Sequence, residues 1–64
     1  MNCFYKIVDG LAIEKIEADD IQEAAENEGY WDYNMVDEDS LIVTGGEEFD
    51  EGLSIEFSTN RGGL

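Results

Sequence analysis

The chain has 64 residues, of which 17 are Asp or Glu and only three are Lys or Arg, so its formal net charge is −14. This length allows one domain at most, and 42% hydrophobic residues without proline argue against a disordered polypeptide. All 17 acids lie within residues 9–56, where Lys15 is the only base, so these 48 residues carry a charge of −16. Direct binding of nucleic acid phosphates or of an anionic membrane is disfavoured by charge repulsion, and a basic partner is the natural complement.

The chain begins with a predicted β-hairpin. Residues 2–8 and 11–17 are rich in β-branched and aromatic residues, which favours two strands. Asp9-Gly10 stands between them and suits a tight turn, because both positions tolerate a positive φ angle. The alternation of apolar and polar residues is imperfect in both strands, so a bulge or a longer loop stays open.

A short helix is predicted over residues 20–28. Asp19 is a suitable N-cap, and Gly29 is a suitable residue directly after the C-cap. One helical face is apolar, with spacings of three and four residues between Ile21, Ala24 and Ala25. A helix of this length is marginal by itself, so it must pack on the sheet.

The second half of the chain predicts three more strands. They cover residues 30–36, 41–44 and 53–58, joined by a turn at 37–40 and an acidic loop at 45–52. In the last strand Leu53, Ile55 and Phe57 are predicted to face the core, and residues 59–64 are predicted to be frayed. The order ββαβββ predicts a single α+β domain over residues 1–64: a mostly antiparallel sheet with one short helix on one face.

Enzyme and metal chemistry find little support in the sequence. Histidine is absent, and Cys3 is therefore interpreted as a small buried hydrophobic residue rather than a nucleophile. Gly45-Gly46 is followed by acids, where a phosphate-binding loop needs a lysine. Asp37 begins a calcium-loop-like pattern, but Leu41 and Ile42 occupy its fifth and sixth positions, which require a ligand and a glycine. We expect no catalysis, no metal site and no cofactor.

The spacing of the carboxylates points to a charged surface with a regular repeat. Asp19, Glu23 and Glu26 recur at four and three residues, which on a helix spaces them by ~4.5–6 Å along the axis. Alternate phosphates of one DNA strand are ~6.8 Å apart along its axis. The predicted partner-binding residues are Asp19, Asp20, Glu23, Glu26, Asp32, Asp37, Glu38, Asp39, Glu47, Glu48, Asp50 and Glu51.

A solvated acidic face is the ordinary explanation of such a charge run. Solubility, however, requires a net charge of magnitude ~2–8 in a small domain, and a charge of −14 adds self-repulsion that destabilises the folded state. The aromatic residues have two interpretations as well. Trp31 and Tyr33 are predicted to pack in the core, and the alternative is that an aromatic residue beside the acids anchors an interface.

In its size, in the charge of residues 9–56 and in its α+β pattern, the chain resembles the small acidic DNA-mimic inhibitors encoded by phages. It is most similar in character to anti-CRISPR proteins that occupy the DNA-entry surface of a type I (Cascade) effector. The resemblance implies an inhibitor in the bacterial cytoplasm that binds a basic DNA-binding protein, either a CRISPR effector subunit or a restriction enzyme or other nuclease. Such a protein places carboxylates where phosphates would lie and blocks DNA binding, without contacting nucleic acid or a membrane itself.

Two other functions stay open at this point. An acidic adaptor or antitoxin would neutralise a basic partner protein without copying DNA. An acidic housekeeping domain of a salt-loving organism would carry the same charge for adaptation to its medium. Competition with duplex DNA separates the inhibitor from the adaptor, because an adaptor can bind beside the DNA.

Overall fold

The computed structural model describes residues 2–47, 49–50 and 52–59 of the chain. These residues form an antiparallel sheet of five strands and a helix, in the predicted order ββαβββ. The elements are β1 (Asn2–Val8), β2 (Leu11–Ala18), α1 (Ile21–Asn27), β3 (Asp32–Asp37), β4 (Ser40–Gly45) and β5 (Ile55–Ser58). The predicted α+β class, with the helix packed on one face of the sheet, is confirmed.

The β1–β2 hairpin turns at Asp9 and Gly10, whose φ angles of 51° and 85° both lie in the left-handed region. A two-residue hairpin turn favours this backbone region, in agreement with the predicted turn. The Asp9 carboxylate accepts a hydrogen bond from the Ser54 amide at 3.0 Å, which ties the turn to the segment before β5. The pairing of the strands shifts after Lys6, so Ile13 has no direct partner in β1 and forms a bulge.

The C-terminal strand β5 lies in the middle of the sheet, whose order is β2-β1-β5-β4-β3. It pairs with β1 on one side and with β4 on the other, and thereby joins the two hairpins. Ile55 and Phe57 of this strand are buried, as predicted. The prediction that Leu53 also faces the core is wrong, because β5 begins only at Ile55. Leu53 is 38% exposed and lies in a turn, where its amide donates a hydrogen bond to the Asp50 carbonyl.

The helix begins one residue later than predicted, because Asp20 rather than Asp19 is the N-cap. Asp20 has an extended backbone, and its carboxylate accepts a hydrogen bond from the Glu23 amide at 2.7 Å. Asp19 directly follows β2, and its carbonyl accepts a hydrogen bond from the Asn2 side chain at 3.0 Å. The last helical residue is Asn27, one position before the predicted end.

Gly29 ends the helix as predicted, with a φ angle of 92°. The Gly29 amide donates to the Glu26 carbonyl at 3.0 Å and the Tyr30 amide to the Ala25 carbonyl at 3.1 Å, which is the Schellman pattern. The motif brings Tyr30 into the core, where it is 2% exposed. The Tyr30 ring lies edge-on to Phe57, with 5.9 Å between the ring centres.

Trp31 lies outside the core, contrary to the prediction, and is 64% exposed. β3 begins at Asp32, so Tyr30 and Trp31 belong to the connection after the helix rather than to a strand. The Schellman motif therefore decides which of these two rings is buried. Tyr33, the other aromatic residue predicted inside, is half-buried and packs against the core.

The core lies between α1 and one face of the sheet, which we call the helix face; the opposite face is the open face. Cys3 alternates with the buried Phe4 and pairs with Glu17 on the open face. Cys3 is exposed there, so the prediction that it is buried is wrong. The core cluster contains Phe4, Ile16, Ala18, Ile21, Ala24, Ala25, Tyr30, Leu41, Val43, Ile55 and Phe57.

The β3–β4 connection lies within the predicted turn at residues 37–40. The Asp37 carboxylate accepts hydrogen bonds from the Asp39 amide at 2.8 Å and from the Ser40 hydroxyl at 3.3 Å, and so stabilises the turn. Of the predicted frayed tail, only Thr59 belongs to the described residues. The Thr59 amide donates a hydrogen bond to the Asp39 carbonyl at 2.9 Å, so this residue is tied to the turn.

Candidate partner-binding surface

Ten of the twelve predicted partner-binding carboxylates belong to the described residues, and nine of these ten are exposed, Glu23 being half-buried. They lie in the helix, in its flanks and in the connections of the sheet. Asp19 and Asp20 precede α1, and Glu23 and Glu26 lie on it. Asp32 begins β3 and Asp37 ends it, Glu38 and Asp39 form the β3–β4 connection, and Glu47 and Asp50 follow β4. Glu48 and Glu51 lie outside the described residues.

The predicted helical stripe is shorter than expected. Asp19 lies before the N-cap, so Glu23 and Glu26 are the two stripe residues on α1 itself. Their separation of three residues corresponds to ~4.5 Å along the helix axis. The acidic surface therefore depends less on a helical repeat than on carboxylates that the connections bring to the two ends of the helix.

At the N-terminal end of α1, two acidic pairs that are distant in sequence meet at one groove. Asp19 and Asp20 line it from the β2–α1 connection, and Glu38 and Asp39 line it from the β3–β4 turn. The groove has a volume of about 600 Å³, and its lining comprises Asn2, Cys3, Phe4, Asp19, Asp20, Ile21, Gln22, Met35, Glu38, Asp39 and Thr59. We refer to it as the N-terminal groove. Sequence reasoning did not single out Met35, because nothing local marks a strand residue that borders a groove.

At the other end of α1, the loop after β4 brings Glu47 against the helix terminus. The Glu47 amide donates a hydrogen bond to the Gly29 carbonyl at 2.8 Å. Gly46 makes this approach possible, because a Cβ atom there would lie 2.6 Å from Tyr30 Cα. The predicted acidic loop is thus anchored, at its start, beside the Schellman motif.

Several of the predicted carboxylates have structural roles within the protein. Asp20 caps the helix and Asp37 stabilises its turn, as described above. Asp50 accepts a hydrogen bond from the Gly52 amide at 2.9 Å. Glu26 accepts a hydrogen bond from the Tyr33 hydroxyl at 2.9 Å, which joins α1 to β3. This bond, together with burial, raises the pKa of Tyr33 above its ordinary value of 10.0.

One ion pair forms among the described residues, between Lys6 Nζ and Glu28 Oε1 at 3.8 Å. The same ammonium group lies 5.1 Å from the centre of the Tyr30 ring. Burial lowers the pKa of Lys6, but a hydrogen bond with Tyr30 raises it. The negative charges of Glu28 and Glu14 act in the same direction, so the pKa lies above its ordinary value of 10.5. Lys6 therefore ties β1 to the helix terminus and neutralises little of the acidic surface.

The charge of the described residues is unevenly distributed between the two faces of the sheet. By strand register, the open face carries Glu17, Glu56, Asp37 and Lys15, whose charges sum to −2. Ile42 lies on the same face, opposite Glu56, and is 46% exposed. Glu14 pairs with Lys6, Asp32 begins β3, and the other described carboxylates lie on α1 or in the connections. The carboxylates are therefore concentrated on α1 and in the connections, and the open face of the sheet carries fewer of them.

No group of three or more His, Cys, Asp and Glu side chains in the described part of the chain is arranged to hold a metal ion. No helix in that part is long and apolar enough to cross a membrane. The comparisons with known proteins add no relative: no protein-family model, no curated protein and no solved structure matches the chain.

Proposed function

We propose that the protein is an inhibitor that binds a basic DNA-binding surface of a nuclease or CRISPR effector and keeps DNA away from it. One observation carries the proposal: the 64 residues carry a net charge of −14, and nine of the ten described carboxylates predicted to bind a partner are exposed. Among the described residues, a single ion pair, between Lys6 and Glu28, offsets part of this negative charge. A surface of this kind attracts a Lys/Arg-lined DNA channel and repels nucleic acid itself.

The way in which the carboxylates are held supports a mimic rather than a flexible acidic tail. The acids at both ends of α1 belong to connections that are fixed by hydrogen bonds, at the Asp20 cap, at the Asp37 turn and at the Glu47 amide. The helix between them has seven residues, which corresponds to ~10 Å along the axis. Fixed charges over this distance compete with about four successive phosphates of a DNA strand, which follow one another at ~3.4 Å.

The proposed target is a type I effector, in line with the resemblance to anti-CRISPR proteins of the Cascade class. Such effectors hold DNA largely through contacts with its backbone, together with a few contacts that read the sequence. A mimic needs to replace only the backbone contacts. Collective charge then controls the rate of association, so the complex should weaken steeply as salt is added.

The test measures binding of a fluorescein-labelled target duplex to a purified guide-loaded Cascade complex while this protein is titrated in. Asp19→Lys with Glu38→Lys should relieve the inhibition, because both changes fall at the N-terminal groove. The matched control is Glu17→Lys with Glu56→Lys, which changes the net charge equally but on the open face. This control should retain most of the inhibition, and circular dichroism checks that both variants fold.

Two results would overturn the proposal. If Cascade binds the duplex at full affinity while saturated with this protein, DNA mimicry is wrong and the adaptor function takes its place. If both double variants lose inhibition equally, total charge rather than an acidic face is responsible. A protein that does not bind Cascade at all would exclude the type I target.

A further inference from the structure

The N-terminal groove combines apolar surface with carboxylates from two connections of the fold. Phe4 of β1 and Ile21 of α1 are buried at 4% and 3% exposure and contribute apolar lining. Met35 of β3 pairs with the buried Leu41, so it lies on the helix face, and it is 43% exposed. A volume of about 600 Å³ is within the range of clefts that take small molecules or side chains.

The charged part of the lining has one sign. Asp19 and Asp20 contribute from one side and Glu38 and Asp39 from the other, and all four are exposed. The lining contains no Lys or Arg among the described residues. The groove is therefore complementary in charge to a cation and in polarity to an aliphatic chain.

We propose that the N-terminal groove receives an arginine or lysine side chain of the basic partner, an inference that rests on the proposed function. These two side chains join an apolar stem to a charged head, so the stem can cover Met35 while the head reaches the carboxylates. An anionic ligand would be repelled, and a second copy of this chain would bring its own acids against these. A neutral apolar ligand would cover the carboxylates without pairing them, which costs free energy.

An inserted side chain adds a specific contact to the interface. Long-range charge attraction alone would hold the two proteins together without fixing their relative orientation. An ion pair at an exposed rim contributes little, since water and salt screen it. In the groove the stem excludes water from one side of the pair, so the attraction is screened less. One inserted side chain would then fix the register of the acidic face on its partner.

The first experiment uses N-acetylarginine methylamide as the probe and the protein labelled with ¹³C at its methionine methyl groups. The sequence has two methionines, so the Met35 signal is assigned with a Met35→Leu variant. We expect the arginine probe to shift the Met35 signal and the amide signals of Ile21 and Asp39. The neutral isostere N-acetylcitrulline methylamide should shift them by less than a tenth as much. Equal shifts with both probes, or equal shifts at Glu47 and Glu56 with the arginine probe, would overturn the proposal.

The second experiment separates the groove from general charge. Met35→Gln removes apolar lining without changing the charge, so general charge predicts unchanged binding of the arginine probe and the groove predicts weaker binding. We expect a weakening of about threefold, which corresponds to roughly 25 Å² of lost apolar contact. Ile42→Gln is the matched control, because Ile42 is exposed to a similar extent, 46%, but lies on the open face. Unchanged binding by Met35→Gln would refute the groove. Neither experiment involves an effector, so their failure is distinct from failure of the proposed function.

Discussion

Replacing Gly46 with alanine should strongly destabilise the protein. Among the described glycines, Gly46 leaves the least room for a Cβ atom. An added Cβ atom would lie 2.6 Å from Tyr30 Cα, 2.7 Å from Gly29 O and 2.8 Å from Tyr30 Cδ1. Carbon atoms in packed interiors prefer ~3.5–4.0 Å, so the loop must move by about 1 Å. This movement would disturb the hydrogen bond between the Glu47 amide and the Gly29 carbonyl.

The neighbours of Gly46 have little freedom to accommodate that atom. Gly29 is held by the Schellman motif and Tyr30 is buried against Phe57. Overpacking of this kind costs ~1–3 kcal/mol, and we expect about 3 kcal/mol because two of the three clashing atoms belong to the backbone. A domain of this size loses ~4–8 °C of melting temperature per kcal/mol. The expected decrease is therefore ~12–24 °C.

The assay is thermal and urea unfolding of Gly46→Ala followed by far-ultraviolet circular dichroism. Gly52→Ala is the control, since among the described residues an added Cβ there would meet only the Asp50 Oδ1 atom, at 3.3 Å. We expect the control to lie within ~0.5 kcal/mol of the original protein. A Gly46→Ala variant as stable as the original, or a Gly52→Ala variant equally destabilised, would refute the reasoning.

Three further predictions concern charge, the helix cap and pH. The melting temperature should rise between 10 and 150 mM sodium chloride, because a Debye length of ~8 Å at the higher concentration screens the repulsion among the acids; a falling temperature would contradict this. Asp20→Ala should cost ~1 kcal/mol in urea unfolding, whereas Asp19→Ala should cost little, because Asp20 is the N-cap; equal losses would contradict that assignment. The raised pKa values of Lys6 and Tyr33 stabilise the fold below their ordinary values of 10.5 and 10.0, and this contribution is lost as the pH rises through the folded-state values. Unfolding free energy should therefore fall above pH ~10, and Tyr33→Phe should lessen that fall; an unchanged pH profile in this variant would contradict the role of its hydroxyl.

Much of the fold follows from local sequence signals for turns and helix ends. Asp9-Gly10 specifies a turn with positive φ angles, and Gly29 specifies the end of the helix, because few other residues adopt these conformations readily. The apolar spacing of Ile21, Ala24 and Ala25 identifies the buried face of α1. The order of elements and the α+β class follow from such signals, since each acts within a few residues.

The candidate surface was predictable only in its composition. The excess of acids favours a basic partner. The described carboxylates that were predicted to bind it are exposed or half-buried. Their local roles were not predictable. The helix start could shift by one residue, so the sequence does not decide whether Asp19 or Asp20 is the N-cap. The hydrogen bond from the Asn2 side chain to the Asp19 carbonyl helps to fix the start of the helix from a distant part of the chain. The N-terminal groove joins residues from Asn2 to Thr59, so no local sequence pattern predicts it.

Only the tertiary structure decided the arrangement of the strands and the fate of the aromatic residues. β5 lies between β1 and β4 because a strand that buries Ile55 and Phe57 under the helix is most stable in the middle of the sheet, a non-local choice. Tyr30 is buried and Trp31 exposed because the Schellman motif, rather than strand alternation, orients them. Composition and turn chemistry therefore determined the charge and the elements. The pairing of distant segments determined the interior and the N-terminal groove, because burial depends on which residues each side chain contacts across the fold.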